Sequence, residues 1–426
     1  MASHNKNKTG KLKGVFLLML SGLSPLAAAN TEFGGHAKFF YTYADYPDNS
    51  VFSEQANPYR ESLGNLRLKA EGNTGSWDGQ LHYVLNGLYS SDLNNCALRG
   101  GIAGRGCREL ASDQGQFMDL SSVISESDNS VVYQRIDRLA VAYATEKLVT
   151  RIGRQAISWG NGVVYNPLDL FNPFPPDAID TEYKRGEDML YLQGLFSNGS
   201  DLQGLYIPRR DPVSGDVSSE HSAVAGKYHW LAGGHEVDFL AARNYGDGIL
   251  AAAYTGEWRE NLVNTSISVA QTDSGSIWSA EANYNYSSIF FGKNLSGFVE
   301  FFYNGFGLKG DRHSVQDVID QSELFSRLLR GELFTIGRFY VATGVVLEAT
   351  PLLNLKPLLF VNLSDTSALL QFIGTYSLSQ NFDLLAGFNL PFGKDGTEYG
   401  GLATDSEEGK LLAPADTLFA RLAWYF

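Results

Sequence analysis

The side chains that could do chemistry in this chain are charged groups within segments of alternating polarity. Every second residue of an extended strand points to the same face, so the alternation predicts one polar face that carries both bases and acids. Around an enclosed passage, such groups could select solutes by charge, or they could pair into a purely structural ladder. The predicted set is Arg67, Lys69, Arg138, Arg151, Arg338 and Arg421 with Glu71, Glu257, Glu300, Glu348 and Asp383.

Arg154 belongs to this set only if its strand is irregular or ends nearby. It lies three residues after Arg151, and residues an odd number apart on a regular strand point to opposite faces. One of the two therefore needs a bulge or a position at the rim. We predict as pore-lining residues the six bases named above, Arg154 and Glu348.

A second feature is the proline-rich segment 159–185, which follows one of the alternating segments. Four prolines between residues 167 and 176 rule out a central strand, yet the segment is richer in Phe and Leu than an exposed loop. We predict a loop that folds inward and narrows a passage, and an ordered outer cap is the alternative. The predicted constriction residues are Trp159, Asn166, Asp169, Phe171, Phe174 and Asp177.

Catalytic and metal-binding patterns are missing from the sequence. None of the seven histidines has the spacing HExxH, and there is no GxSxG motif. Gly305–Gly310 matches GxGxxG, but no parallel-sheet pattern accompanies it, so we interpret it as a loop. The acids of 177–182 could bind a divalent cation, although such loops are usually just solvated. The sequence therefore predicts no enzyme, no cofactor and no metal.

The elements that must position these residues are strands. Alternation with period two is the main pattern in the sequence, and it predicts about eighteen strands, with sixteen possible. The predicted ranges are 33–46, 61–72, 75–90, 131–145, 148–158, 186–197, 200–208, 221–231, 235–245, 249–258, 262–271, 276–287, 295–305, 332–349, 353–363, 366–377, 381–391 and 416–426.

The connections between these strands alternate in length. The long ones are 91–130, 159–185, 306–331 and 392–415, and all of them fall at odd-numbered connections. Short turns at one end and long loops at the other are typical of outer-membrane barrels. In lipid a sheet can satisfy its backbone only by closing. We therefore predict an all-β fold, a transmembrane antiparallel β-barrel, with a short amphipathic helix at 314–330.

The first residues predict export. Four lysines precede the apolar run Val15–Leu20, and Ala27–Ala29 follows, which is the pattern of a signal peptide over 1–29. That run is too short for a spanning helix. Residues 30–426 would form a single barrel domain. In an oxidising compartment Cys96 and Cys107 would pair. The net charge of −14 and the absence of a basic domain argue against nucleic-acid binding.

Two groups of residues carry resemblances to known families. The ending with Trp424 and a terminal Phe426 resembles the assembly signal of bacterial outer-membrane proteins. Arg151–Gln155 with Trp159–Gly162, Asn166-Pro167 and Asn172-Pro173 resembles the strand and loop of alginate-export-like and related Gram-negative barrels. This resemblance implies an eighteen-stranded outer-membrane barrel for a solute or polymer, with Arg151 and Arg154 in the conduit.

Three functions follow as hypotheses. The first is a porin-like channel that passes small solutes through a barrel narrowed by 159–185. The second is an export port for an anionic polysaccharide or lipid, working with an inner-membrane transporter. The third is a plugged barrel whose outer loops bind a partner. The expected location is the outer membrane of a Gram-negative bacterium, and the expected partners are membrane lipid and the barrel-assembly machinery.

Overall fold

The computed structural model describes residues 30–54, 57–93, 111–404 and 409–426. The predicted signal peptide and the predicted Cys96–Cys107 disulfide lie outside these ranges, so both stay predictions. Within them, eighteen strands form one antiparallel sheet in which each strand pairs with its neighbours in sequence.

The first strand also pairs with the last, which closes the sheet into a barrel. His36 lies opposite Tyr425, and Asp45 lies opposite Asp416. The strands are β1 Asn30–Asp45, β2 Tyr59–Thr74, β3 Trp77–Ser90, β4 Ser130–Ala144, β5 Leu148–Gln155, β6 Glu187–Leu195, β7 Asp201–Ile207, β8 Ala223–Ala232, β9 His235–Asn244, β10 Asp247–Trp258, β11 Asn261–Thr272, β12 Gly275–Phe290, β13 Lys293–Tyr303, β14 Phe339–Thr350, β15 Leu353–Asn362, β16 Ser367–Ser379, β17 Phe382–Phe392 and β18 Asp416–Tyr425.

Each predicted strand corresponds to one of these strands. The predicted count of eighteen is therefore confirmed, and the alternative count of sixteen is wrong. Two predicted ranges were too long. The strand predicted at 332–349 begins at Phe339, because residues 332–338 form a loop whose Ile336 packs in a cluster with the helices. The strand predicted at 148–158 ends at Gln155. A short strand, Ser121–Glu126, pairs with the first residues of β4 and extends the barrel wall at that end of the strand.

The outer face of the barrel is apolar. Large hydrophobic side chains are exposed at alternate positions, as at Ile152, Leu250 and Leu418. Near the short turns, aromatic rings of the outer face lie side by side on neighbouring strands. Their ring centroids are 4.9 Å apart for Trp77–Tyr143, 6.0 Å for Trp258–Tyr284 and 6.0 Å for Phe382–Trp424. An apolar band edged by aromatic rings is the surface that a bilayer requires of a barrel.

The two ends of the barrel differ in their connections. The end at which β1 begins and β18 ends has turns of two to five residues, such as 75–76, 196–200 and 351–352. The long connections 91–129, 156–186, 304–338 and 393–415 all lie at the other end. We call these the short-turn end and the long-loop end. The predicted asymmetry is confirmed.

The predicted amphipathic helix is confirmed as two helices in the connection before β14. These are α1, Val315–Asp320, and α2, Ser322–Arg330. Ser314 and Asp317 form a capping box, which fixes where α1 begins. The buried side chains of the pair include Val318, Leu324 and Leu328. Among the described residues, no helix is long and apolar enough to cross a membrane.

Candidate functional site

The connection 156–186 lies inside the barrel, where it contacts inner-face residues of strands around the wall. The Trp159 indole N–H donates to Gln203 on β7 at 2.7 Å. The Asn161 amide donates to Thr255 on β10 at 2.7 Å. On the opposite side, the Gln371 amide of β16 donates to a carbonyl of the loop at 2.9 Å. The prediction that this segment folds into the barrel is confirmed, and the alternative prediction of an ordered outer cap is wrong. We call 156–186 the inward loop.

One carboxylate holds the middle of the inward loop. The backbone N–H groups of Val163, Val164 and Tyr165 all donate to Glu300 of β13, at distances from 2.6 to 3.2 Å. The Glu300 side chain is fully buried, and it has no ion pair among the described residues. Three consecutive N–H groups thus converge on one side chain and satisfy its acceptor oxygens. Glu300 therefore anchors the loop to the wall.

The glycines of the segment allow the backbone to reach this anchor. Gly160 has a φ of +87°, a conformation that favours glycine. A Cβ atom at Gly162 would lie 2.0 Å from the Tyr165 carbonyl oxygen. The Asn166 amide donates to the Trp159 carbonyl at 2.9 Å and closes the same turn. The sequence Trp-Gly-Asn-Gly therefore forms a tight turn that directs three N–H groups at Glu300.

The aromatic side chains of the inward loop pack against the wall, which explains their presence in a loop. Tyr165 stacks on Phe302 with ring centroids 4.8 Å apart. On the other side, Trp159 meets Phe171 edge to face at 5.7 Å, within a buried cluster from β6 to β9. Phe174 lines a small cavity beneath the helices.

The end of the loop binds the wall through charge. Lys38 of β1 contacts Asp180 at 2.7 Å and Glu182 at 2.5 Å. Arg421 of β18 lies 3.4 Å from Asp180. The Tyr183 ring lies against the Arg67 guanidinium, 4.1 Å from its centroid. The acids of 177–182 were predicted to be solvated or cation-binding, but two of them instead hold lysine and arginine of the barrel.

Two loop residues form a pair within the loop itself. Asp169 and Lys184 are 2.5 Å apart, and Lys184 also donates to the Ile157 carbonyl at 2.9 Å. Within the described part of the chain, the carboxylate of Asp177 makes no hydrogen bond to the wall; its backbone carbonyl is the group that accepts from Gln371. Trp159, Asn166, Asp169, Phe171, Phe174 and Asp177 thus all lie within the inward loop. That they set the constriction stays a prediction.

The predicted pore-lining bases are distributed unevenly. Arg67 and Arg138 each lie 2.8 Å from Asp137, and both are buried. Arg338 lies just before β14 and donates to the Gly307 carbonyl at 2.9 Å. The remaining positions, on the inner face nearer the short-turn end, are Lys69, Arg151 and Glu348. The role of these residues in lining a pore stays a prediction.

Arg154 requires a correction of its predicted position. It is fully buried, and its guanidinium contacts Asp113 at 2.6 Å and Asp188 at 2.8 Å. It shares a face with Ile152, which is exposed on the outer wall, and the segment around Asp113 covers it. Burial alone would raise the pKa of Asp113, but Arg154 and Arg135 hold that pKa below its usual value. Arg154 is therefore a buried structural cation.

Lys38, which holds the end of the inward loop, was not singled out from the sequence, and the acids of 177–182 were not predicted to bind the wall. Lys38 is more than 140 residues away from Asp180 and Glu182 along the chain, so no local spacing connects it to them. Lys38 does follow the alternation of β1, which was the one available signal. Glu300 was placed on the inner face by alternation, and its position there is confirmed.

The inward loop separates cavities of different character. Towards the short-turn end, a cavity of about 410 Å³ is lined by Glu32, Glu71, Asp78 and Arg151, among others. Towards the long-loop end, a cavity of about 100 Å³ is lined by aromatic rings such as Phe302 and Phe306. Of these two cavities, the one nearer the short-turn end is larger and lined by charged groups, and the one nearer the long-loop end is smaller and lined by aromatic rings.

The C-terminus completes the wall. The backbone of Phe426 exchanges hydrogen bonds with Gly35 at 2.8 and 3.1 Å. The Trp424 and Phe426 rings are exposed, with centroids 4.9 Å apart. Their predicted role as an assembly signal stays a prediction.

Comparison with known proteins shows which solved structures share this fold. No family model matches the chain, and no curated protein does. Among solved structures it is similar to Acinetobacter baumannii OccAB2, with a TM-score of 0.54 and 12% identity over 93% of this chain and 98% of that one. It is also similar to a BenF-like porin from Pseudomonas fluorescens Pf-5, with a TM-score of 0.52 and 9% identity over 93% and 98%. At these identities the likeness shows that the chain has the fold of outer-membrane porins.

Proposed function

We propose that this chain is a porin-like channel of the Gram-negative outer membrane, which passes small solutes through a barrel narrowed by the inward loop. The observation that carries the proposal is the Glu300 anchor. A closed barrel with an apolar outer band belongs in a bilayer, and a loop fixed across its interior narrows a passage in a defined way. The proposal is a transport function and not an enzymatic one.

The alternative suggested by the alginate-export-like resemblance is a port for an anionic polymer. Such a port needs a corridor of free bases. Lys38, Arg67, Arg138 and Arg421 each have a carboxylate partner within 3.4 Å, which supports small solutes over a polyanion. An inner-membrane transporter working with such a port could contact the barrel only at its short turns. Lipid around the apolar band and the barrel-assembly machinery remain the partners we propose.

The test is single-channel conductance of residues 30–426, refolded and inserted into planar bilayers. We expect steady conductance steps of one size. Heat-modifiable gel migration of the same sample shows that the barrel has folded, and protein-free detergent is the control for leakage. A folded barrel that conducts no ions would overturn the channel and would favour the plugged barrel whose outer loops bind a partner.

A further inference from the structure

Charge on the inner wall is neutralised locally in the half of the barrel that holds the inward loop. Lys38 contacts two carboxylates of the loop. Arg67 and Arg138 share Asp137, with both distances at 2.8 Å. These side chains are almost completely buried. Each of these bases lies within 2.8 Å of at least one carboxylate, which weakens the field that it exerts on a passing ion.

The wall nearer the short-turn end is not neutralised. The alternation of the described strands places nine carboxylates and four bases on the inner face there. The bases are Lys69, Arg151, Lys227 and Lys356, and the carboxylates are Glu32, Glu71, Asp78, Asp201, Glu236, Asp238, Glu257, Glu348 and Asp383. Lys227 is already paired with Asp238 at 3.4 Å.

Several of these carboxylates are also exposed. Glu32, Asp78, Glu236 and Glu257 are exposed side chains without an ion pair among the described residues. Glu32 and Asp78 line the cavity of about 410 Å³, together with Glu71. Their charge therefore faces the water-filled part of the interior.

We infer that the channel prefers cations to anions, and that the acidic wall at its short-turn end sets this preference. The inference rests on the proposed function, which it makes more specific. Low-dielectric walls that carry one sign of charge focus the field and raise the local concentration of counter-ions. The solutes favoured are small monovalent cations and organic solutes that carry an ammonium group.

The preference depends on the summed field, and no single carboxylate binds an ion. Field-based selection weakens with salt, because the Debye length falls from about 10 Å at 0.1 M to about 3 Å at 1 M. The K⁺ to Cl⁻ permeability ratio therefore exceeds one in dilute KCl and approaches one in concentrated KCl.

The experiment measures reversal potentials under KCl gradients for the refolded chain and two matched triple variants. E32Q/D78N/E257Q removes three unpaired carboxylates from the inner wall. D128N/D216N/E220Q removes three exposed carboxylates from the long-loop end. Both sets remove three negative charges, so a change in overall charge cannot explain a difference between them.

We expect the first variant to lower the K⁺ to Cl⁻ ratio by roughly half, in line with loss of a local field, while the second leaves it unchanged. A ratio below one in the original chain, or an equal ratio in the original chain and the first variant, overturns the inference and leaves the channel standing. A folded barrel without conductance overturns the proposed function, and the inference with it.

Discussion

At the level of the inward loop, Lys38 touches two carboxylates of the loop, and Arg67 and Arg138 each lie 2.8 Å from Asp137. At the short-turn end, Glu32 and Asp78 are exposed and have no ion pair among the described residues. Both regions belong to the same inner wall. In the first, the charged groups are paired and hold the structure together. In the second, we propose that they act on solutes.

The difference follows from burial. An unpaired charge in a desolvated site costs several kcal/mol, so the charges that the inward loop covers must find partners. A charge that faces water carries little such cost. A substitution at a covered pair therefore affects structure, whereas one on the open wall affects ion selection with little change in stability. The predictions below use that contrast.

The largest effect is expected for Glu300→Ala. The change removes the acceptor of three backbone N–H groups, and leaving a buried donor without its partner costs about 1–3 kcal/mol. The inward loop loses its central anchor. Single-channel recordings are expected to show larger mean conductance and frequent steps between levels, in place of one steady level.

Glu281→Gln is the matched control for this change. Glu281 is a buried carboxylate on the inner face of β12, and it bonds to Ser266 and Asn283 rather than to the inward loop. The Asn283 amide also donates to the Asn161 carbonyl of the inward loop at 3.2 Å. Because glutamine keeps an acceptor oxygen for Asn283, the replacement leaves the loop anchored and the conductance level steady. Equal conductance in Glu300→Ala and in the original chain would show that the loop is held without Glu300.

A loss of about 3 kcal/mol of stability, at the lower end of the range for a broken buried ion pair, is expected for Lys38→Met, because Glu182 loses its cation while Asp180 keeps Arg421 at 3.4 Å. The measurement is the urea concentration at which the heat-modifiable band is lost. Lys69→Met is the control, since Lys69 lies on the same wall and has no ion pair among the described residues. If the two variants unfold at the same concentration, the loop end is not held by charge.

The strands could be predicted from the sequence because alternation is a local property. The residues of a strand reveal its inner and outer faces without knowledge of its neighbours. The number and order of the strands, the inner position of Glu300 and the inward loop itself were all available in this way. The length of β14 was overestimated because Ile336 is apolar for a different reason, its packing against the helices.

The partners of the charged residues could not be predicted in the same way. Arg154 was placed in the pore, but its position depends on Asp113, a residue of a distant connection that covers the outer wall. Lys38 and Asp180 are brought together only when the inward loop crosses the barrel. Contacts between charged residues that are far apart in the sequence produce no local pattern of residue spacing.

Arg154→Met is expected to cost a similar amount of stability to Lys38→Met, because in each variant one of the two carboxylates keeps a second cation, here Arg135, which lies 3.3 Å from Asp113. The pH dependence of the stability difference shows whether the loss of a charge pair causes the destabilisation. A carboxylate whose pKa is lowered on folding adds stability above its unfolded pKa, near 3.8, and this contribution is lost as pH falls through the folded value. The gap between variant and original chain should therefore narrow below about pH 4.

The control for this comparison is Arg151→Met, which alters an arginine three residues away on the inner face that has no ion pair among the described residues. Its stability should follow that of the original chain at each pH. A gap for Arg154→Met that is the same at pH 7 and at pH 3 would mean that lost packing, and not lost charge, causes the destabilisation.

The smallest effect is expected for Lys356→Gln, which removes an exposed base from the acidic wall. Because the open wall acts through its summed charge, the K⁺ to Cl⁻ ratio should rise slightly, by well under twofold, with no change in urea resistance. Lys309→Gln, in the connection at the long-loop end, removes the same charge far from that wall and should leave the ratio unchanged. A fall in the ratio, or an equal rise in both variants, would contradict the assignment of ion selection to the short-turn end, because a local field responds to the sign and place of each charge.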